Sequence, residues 1–143
     1  MLGKVSLILV AFLSITLTSA MQAFAENWFT TERISNKREV KIQIDKDSIR
    51  SVEQSWFSFM QRLQTDSNPP AEPFKGEVNC IRKIFSSIYS NDERQDQIRR
   101  KGKWFIDFAH KDDPSDTISI EVKPGDDAYR EKTFAWICSN YKK

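Results

Sequence analysis

The chain reads as an α+β domain in which about six antiparallel strands form one sheet, with a C-terminal α-helix packed on it and tied by one disulfide. Three observations predict this. Apolar and polar residues alternate with a two-residue period in separate runs between Trp28 and Val122. Helical spacing enters only after Pro124-Gly125. The sequence has 2 cysteines, Cys80 in a strand-like run and Cys138 in the terminal helix.

With 143 residues, 39% hydrophobic and 29% charged, and only 4 Gly and 5 Pro, the composition is that of one globular domain. Lys plus Arg (22) nearly cancels Asp plus Glu (20), which argues against a dedicated nucleic-acid binder. One His and 2 Cys fall short of a four-ligand zinc site and exclude two-histidine chemistry, so no metal or cofactor is expected.

The first 25 residues carry an address. Lys4 precedes an apolar run from Val5 to Leu17, and Ala23-Phe24-Ala25 places small residues at minus three and minus one, the pattern of a secretory signal cut after Ala25. The run is shorter than the roughly 20 residues that cross a bilayer, so no integral membrane protein is expected. The domain is then 26–143, exported to the periplasm or cell surface of a Gram-negative-type bacterium. In that oxidising setting Cys80 and Cys138 are expected to pair. No Cys-x-x-Cys spacing poises a redox-active thiol.

Trp28 to Arg33 is short and aromatic, Ser35-Asn36-Lys37 supplies a turn, and Val40, Ile42 and Ile44 then alternate with Lys41, Gln43 and Asp45, giving a hairpin. Asp45-Lys46-Asp47-Ser48 suits a turn that carries Ile49 back to the core; Arg50 at the sixth position argues against a calcium loop. Ser55 to Gln64 has a two-residue period and reads as a long strand, ended by Thr65-Asp66-Ser67-Asn68-Pro69-Pro70. Glu77 to Ser90 reads as one strand with apolar groups on both sides: Val78, Cys80, Ile84 and Ile88 against Ile81, Phe85 and Tyr89. A polar stretch from Ser90 leads to a strand around Trp104, Ile106 and Phe108, and Ile118, Ile120 and Val122 mark the sixth. Asp126 or Asp127 is placed to cap a helix running to about Ser139, with Phe134, Ala135 and Cys138 at helical spacing.

Catalytic chemistry is hard to assemble. His110 lies in turn chemistry beside Lys111-Asp112-Asp113-Pro114, without a Gly-x-Ser-x-Gly elbow. Asp45/Asp47, Asp112/Asp113 and Asp126/Asp127 are explained by turns and caps. The sharper feature is Arg99, Arg100, Lys101 and Lys103 beside Trp104, a basic cluster with an aromatic that could hold a polyanionic glycan or an acidic protein patch. Asp92, Glu93 and Asp96 could equally balance it as a solvated loop.

The string Gln43-Ile44-Asp45-Lys46-Asp47-Ser48-Ile49, the strand Glu77-Val78-Asn79-Cys80-Ile81-Arg82-Lys83, the turn Ile120-Glu121-Val122-Lys123-Pro124-Gly125-Asp126 and the terminal Trp136-Ile137-Cys138 together resemble the surface-adhesin protein E family of exported bacterial proteins. Asp126 stands where that family has Ser, and residues 91–117 exceed its usual connection. The resemblance implies a small antiparallel sheet with a disulfide-tied C-terminal helix and, for the named adhesins, attachment to host matrix proteins.

Three functions remain in contention. The first is an exported, non-catalytic binding module, adhesin-like, holding a protein or glycan through a sheet face or the 99–103 loop. The second is an envelope subunit that self-associates, as a homodimer, through Ile81, Phe85 and Tyr89. The third is a small secreted hydrolase or a hydrolase inhibitor.

Overall fold

The computed structural model describes residues 27–35, 39–66 and 69–141. The leader read over 1–25, and the centres of two expected turns at 36–37 and 67–68, lie outside them. Within the described residues the chain forms nine strands and one α-helix, more strands than the six expected. They are β1 (Trp28–Ser35), β2 (Glu39–Asp45), β3 (Arg50–Glu53), β4 (Trp56–Thr65), β5 (Phe74–Asn79), β6 (Ile84–Ile88), β7 (Arg94–Arg100), β8 (Lys103–Ala109), β9 (Thr117–Val122) and α1 (Glu131–Asn140). All pairings are antiparallel, in the order β1-β2-β4-β5-β6-β7-β8-β9, with β3 a short flap on β4. Every connection along this path joins near neighbours in sequence, so the sheet is a meander with two edges, β1 and β9.

Alternation sorts the side chains onto two faces. The inner face carries Ile42 and Ile44, Phe57 and Phe59, Val78, Phe85, Trp104, Ile106 and Val122, all buried. α1 lies against this face with Phe134 and Ile137: the Trp104 and Phe134 rings meet edge-on at 5.0 Å, and Trp136 packs on Phe29 at 5.2 Å. Gly76, opposite Phe59 in the β4–β5 ladder, leaves the room the Phe59 ring fills. The expected bond joins Cys80 to Cys138, with Cα atoms 5.6 Å apart, and ties the end of α1 to the turn after β5.

Three expectations are corrected. Glu77 to Ser90 is not one strand but the β5–β6 hairpin, because the Asn79 side chain accepts hydrogen bonds from the amides of Ile81 (3.1 Å) and Arg82 (2.8 Å) and folds the backbone over. The polar stretch after Ser90 contains β7, whose charges satisfy one another on the outer face: Arg94 bridges Glu77 and Asp96, and Ser86 donates to Asp96. The helix starts at Glu131 rather than at the acidic pair. Asp126 instead accepts from the Lys123 amide, and Glu32, from across the sheet, takes the amide of Lys132 in the first helical turn.

Candidate functional site

The basic cluster is dispersed by the fold. Strands β7 and β8 meet at a two-residue turn in which Lys101 (φ 50°) and Gly102 (φ 78°) both occupy the left-handed region, the requirement of a type I′ hairpin. Side chains before and after that turn point to alternate faces. Trp104 is 1% exposed, its ring against Phe134 and its indole N–H donating to Glu131; it belongs to the core and is withdrawn from any partner. Arg99 is half-buried and bridges Glu131 at 3.3 Å. Arg100 bridges Asp107 at 2.6 Å and Lys103 reaches Glu121 at 3.7 Å, both on the outer face. The Ser119 hydroxyl, with Arg100, holds the Asp107 carboxyl below its usual range. Of the four basic residues singled out in the sequence, Lys101 alone makes no ion pair among the described residues.

The fold supplies neighbours that the sequence spacing concealed. In a meander, alternate turns share one end of the sheet, so the β5–β6 turn lies beside the β7–β8 turn; the Arg99 amide donates to the Lys83 carbonyl at 2.9 Å. Arg82 and Lys83 of the first turn are exposed and form no ion pair among the described residues. Lys83, like Lys101, holds a left-handed backbone (φ 56°). Three exposed cations from segments some twenty residues apart thus crown one end of the sheet. Asn79 was the sequence signal for this arrangement, since only a turn at that point brings Arg82 and Lys83 to the end.

The self-association trio does not form a face. Phe85 is fully buried opposite Val78 and against Phe59, Ile81 stands 76% exposed at the tip of the β5–β6 turn, and Tyr89 lies beyond the far end of β6, stacked on Phe74. The hairpin reverses the chain between Ile81 and Phe85, which breaks the common parity the single-strand reading assumed.

Several buried polar groups have structural partners, although Gln61 Oε1, Gln97 Oε1, Arg99 Nε and Arg130 Nε are buried without a hydrogen bond among the described residues. The Glu32 carboxylate is buried; it accepts from the Thr133 hydroxyl and the Lys132 amide, and burial nevertheless pushes its pKa up. Arg130 is 4% exposed and donates to the carbonyls of Asp127 and Tyr129; burial lowers its pKa against the attraction of Glu32. His110 accepts from the Asp112 amide at 3.3 Å, and the Asp45 and Asp113 carboxylates accept local amides, so these groups do turn work. Among the described residues, no three His, Cys, Asp or Glu side chains gather to hold a metal ion. A cavity of about 330 Å³ lined by Ile34, Val40, Leu63, Pro69 and Ala71, with Thr65 and Asp127, is mostly apolar-walled.

No protein-family model, curated protein or solved structure matches the chain. Among the described residues no helix is long and apolar enough to cross a membrane.

Proposed function

We propose that the protein is an exported, non-catalytic binding module that holds a polyanionic partner, a sulfated glycan or an acidic protein surface, at the bacterial envelope. The reading is adhesin-like, in keeping with the resemblance to surface-adhesin protein E. Export is supported by the Lys4 to Ala25 pattern and by a disulfide that needs an oxidising compartment to persist.

The observation that carries the binding surface is the convergence of Arg82, Lys83 and Lys101, exposed and without carboxylate partners, on two adjacent turns. Both lysines hold a left-handed backbone, which costs a non-glycine residue about 1 kcal/mol and is better met by Asn or Gly. Cations kept at an energetic cost point to a role outside folding.

Heparin is the probe. The triple variant Arg82→Gln, Lys83→Asn, Lys101→Asn retains residues that tolerate the turns. Exposed ion pairs contribute about 0.2–1 kcal/mol each, so the variant is expected to bind heparin roughly 3- to 100-fold more weakly at low salt. Wild-type binding should also fall steeply with ionic strength. Equal affinity in the triple variant, or no heparin binding by the wild type at low salt, would defeat this reading.

A further inference from the structure

The two edges of the sheet are built differently. β1 has a register shift between Thr30 and Glu32, which turns both Thr31 and Glu32 toward α1, where each hydrogen-bonds Thr133 at 2.7 Å. A bulged edge under a docked helix is protected against further pairing. β9 has neither device. Its six residues pair with β8 without a shift, from Trp104 opposite Val122 to Ala109 opposite Thr117, and Thr117–Val122 contains no Pro and no Lys. Two of its three inner-face side chains are bare, Ile118 at 47% exposed and Ile120 at 53%, as is the neighbouring Phe108 at 45%, while Val122 at its end is buried.

We propose that β9 pairs antiparallel with β9 of a second copy of this chain, forming a two-fold dimer with a continuous sheet. The occupant follows from the edges and the register. Addition of β9 to β1 would propagate an open filament, and the bulge and helix at β1 oppose it; β9 on β9 closes upon itself. A one-residue slip would set the Ile face of one copy beside the Ser/Glu face of the other. Of the registers that keep the faces matched, centring on Glu121 opposes two carboxylates, and centring on Ser119 sets Asp116 against Val122. Centring on Ile120 opposes Ile120 with itself and Ile118 with Val122, while Ser119 meets Glu121 and Thr117 meets Lys123, with no like charges opposed. The β8–β9 ladder already aligns Ile106 with Ile120 and Phe108 with Ile118. In this register those rows run on across the axis, Ile106–Ile120 into its own copy and Phe108–Ile118 into Val122–Trp104.

This proposal uses a different surface from the basic end, and its test is independent of heparin. Sedimentation equilibrium of the natively processed, oxidised protein, from about 10 μM to about 1 mM, the weak limit of a specific contact, is expected to give a reversible monomer–dimer equilibrium. Ile120→Lys, which opposes two cations at the axis, should weaken it at least about 10-fold with an unchanged circular dichroism spectrum. Ile120→Cys supplies a readout of register: residues directly opposed across an antiparallel pair have Cα atoms about 4.5–5.5 Å apart, within disulfide range, whereas Ile118→Cys would face Val122. Rapid inter-chain cross-linking of Ile120→Cys and slow cross-linking of Ile118→Cys is the expected result. Monomer at every concentration, undiminished dimer in Ile120→Lys, or equal cross-linking by the two cysteine variants would overturn the proposal.

Discussion

Replacing both cysteines, Cys80→Ala with Cys138→Ala, separates what the disulfide does to the folded protein from what it does to the unfolded one. The bond spans 58 residues of sequence, from the turn after β5 to the last helical turn. Closing a loop of that length removes about 4 kcal/mol of chain entropy from the unfolded state. α1 has 10 residues, too few to persist alone, so its place on the sheet depends on packing. Phe134 and Ile137 are 7% and 0% exposed, and burying two such side chains contributes about 3–6 kcal/mol, enough to keep the helix docked without the bond. The double variant should therefore keep the near-ultraviolet circular dichroism of the native protein while its urea midpoint falls by roughly 2–3 M, taking about 1.5 kcal/mol per M as the denaturant slope. A midpoint shift below about 0.5 M would refute the entropic argument. Loss of the near-ultraviolet signal without urea would refute the helix-packing half of it.

Gly76→Ala would bring a Cβ within 2.5 Å of the Phe59 ring and 2.9 Å of the Gln61 amide nitrogen, and should cost about 1–3 kcal/mol in urea unfolding. Phe59→Leu added to it should cost less than the two single losses combined, and strict additivity would count against the clash. Lys101→Asn should stabilise the β7–β8 turn by about 0.5–1 kcal/mol, raising Tm by about 2–4 °C in a thermal scan; a lower Tm would contradict the left-handed assignment. Glu32 is raised in pKa by burial, so the stability linked to its protonation is present below its unfolded pKa and is lost as pH rises through the folded one. Relative to Glu32→Gln, the wild type should thus lose Tm as pH goes from about 4 to about 7, and parallel Tm profiles would exclude that linkage.

The sheet, the terminal helix and the pairing of Cys80 with Cys138 were legible in the sequence because each rests on a local pattern: alternation for the strands, a change of period after Pro124-Gly125, and two cysteines. β7 was not, because Arg94-Gln95-Asp96-Gln97 carries no apolar alternation; its outer charges bridge neighbours and its inner Gln97 is buried with its amide on the Ala128 carbonyl. The β5–β6 hairpin hid behind Ile81, an apolar residue at a turn tip, although Asn79 two positions earlier marked the reversal. That single misreading also misplaced the candidate surfaces. It grouped Phe85 with Ile81 and Tyr89, and it kept Arg82 and Lys83 inside a strand, away from Lys101. Trp104 looked available beside four cations, but alternation across a two-residue turn sends one neighbour to the core for each it sends to solvent.

The bare strip at β9 follows from where α1 is held as much as from residue choice. Eight strands along the pairing path, at about 4.8 Å apart, make a contour of roughly 34 Å, yet α1, about 15 Å long, touches β1 through Thr133 and β8 through Glu131 and Phe134, so the sheet curls around the helix. The points that tie the helix down decide which strands stay uncovered. Thr133 fixes its first turn to β1 through Thr31 and Glu32, and Cys138 fixes its end to the turn after β5. Its first residue, Glu131, reaches Trp104 of β8, and Ala128 in the segment leading into it reaches Gln97 of β7. Nothing of this chain among the described residues extends over Phe108, Ile118 and Ile120, which share a face with the buried core yet stand half-exposed. A sequence that needed only a stable monomer could place Thr or Lys at 118 and 120, where about half of each side chain faces solvent; keeping Ile at both, on the one edge without a bulge or a helix, is the feature that a second copy of the strand would explain.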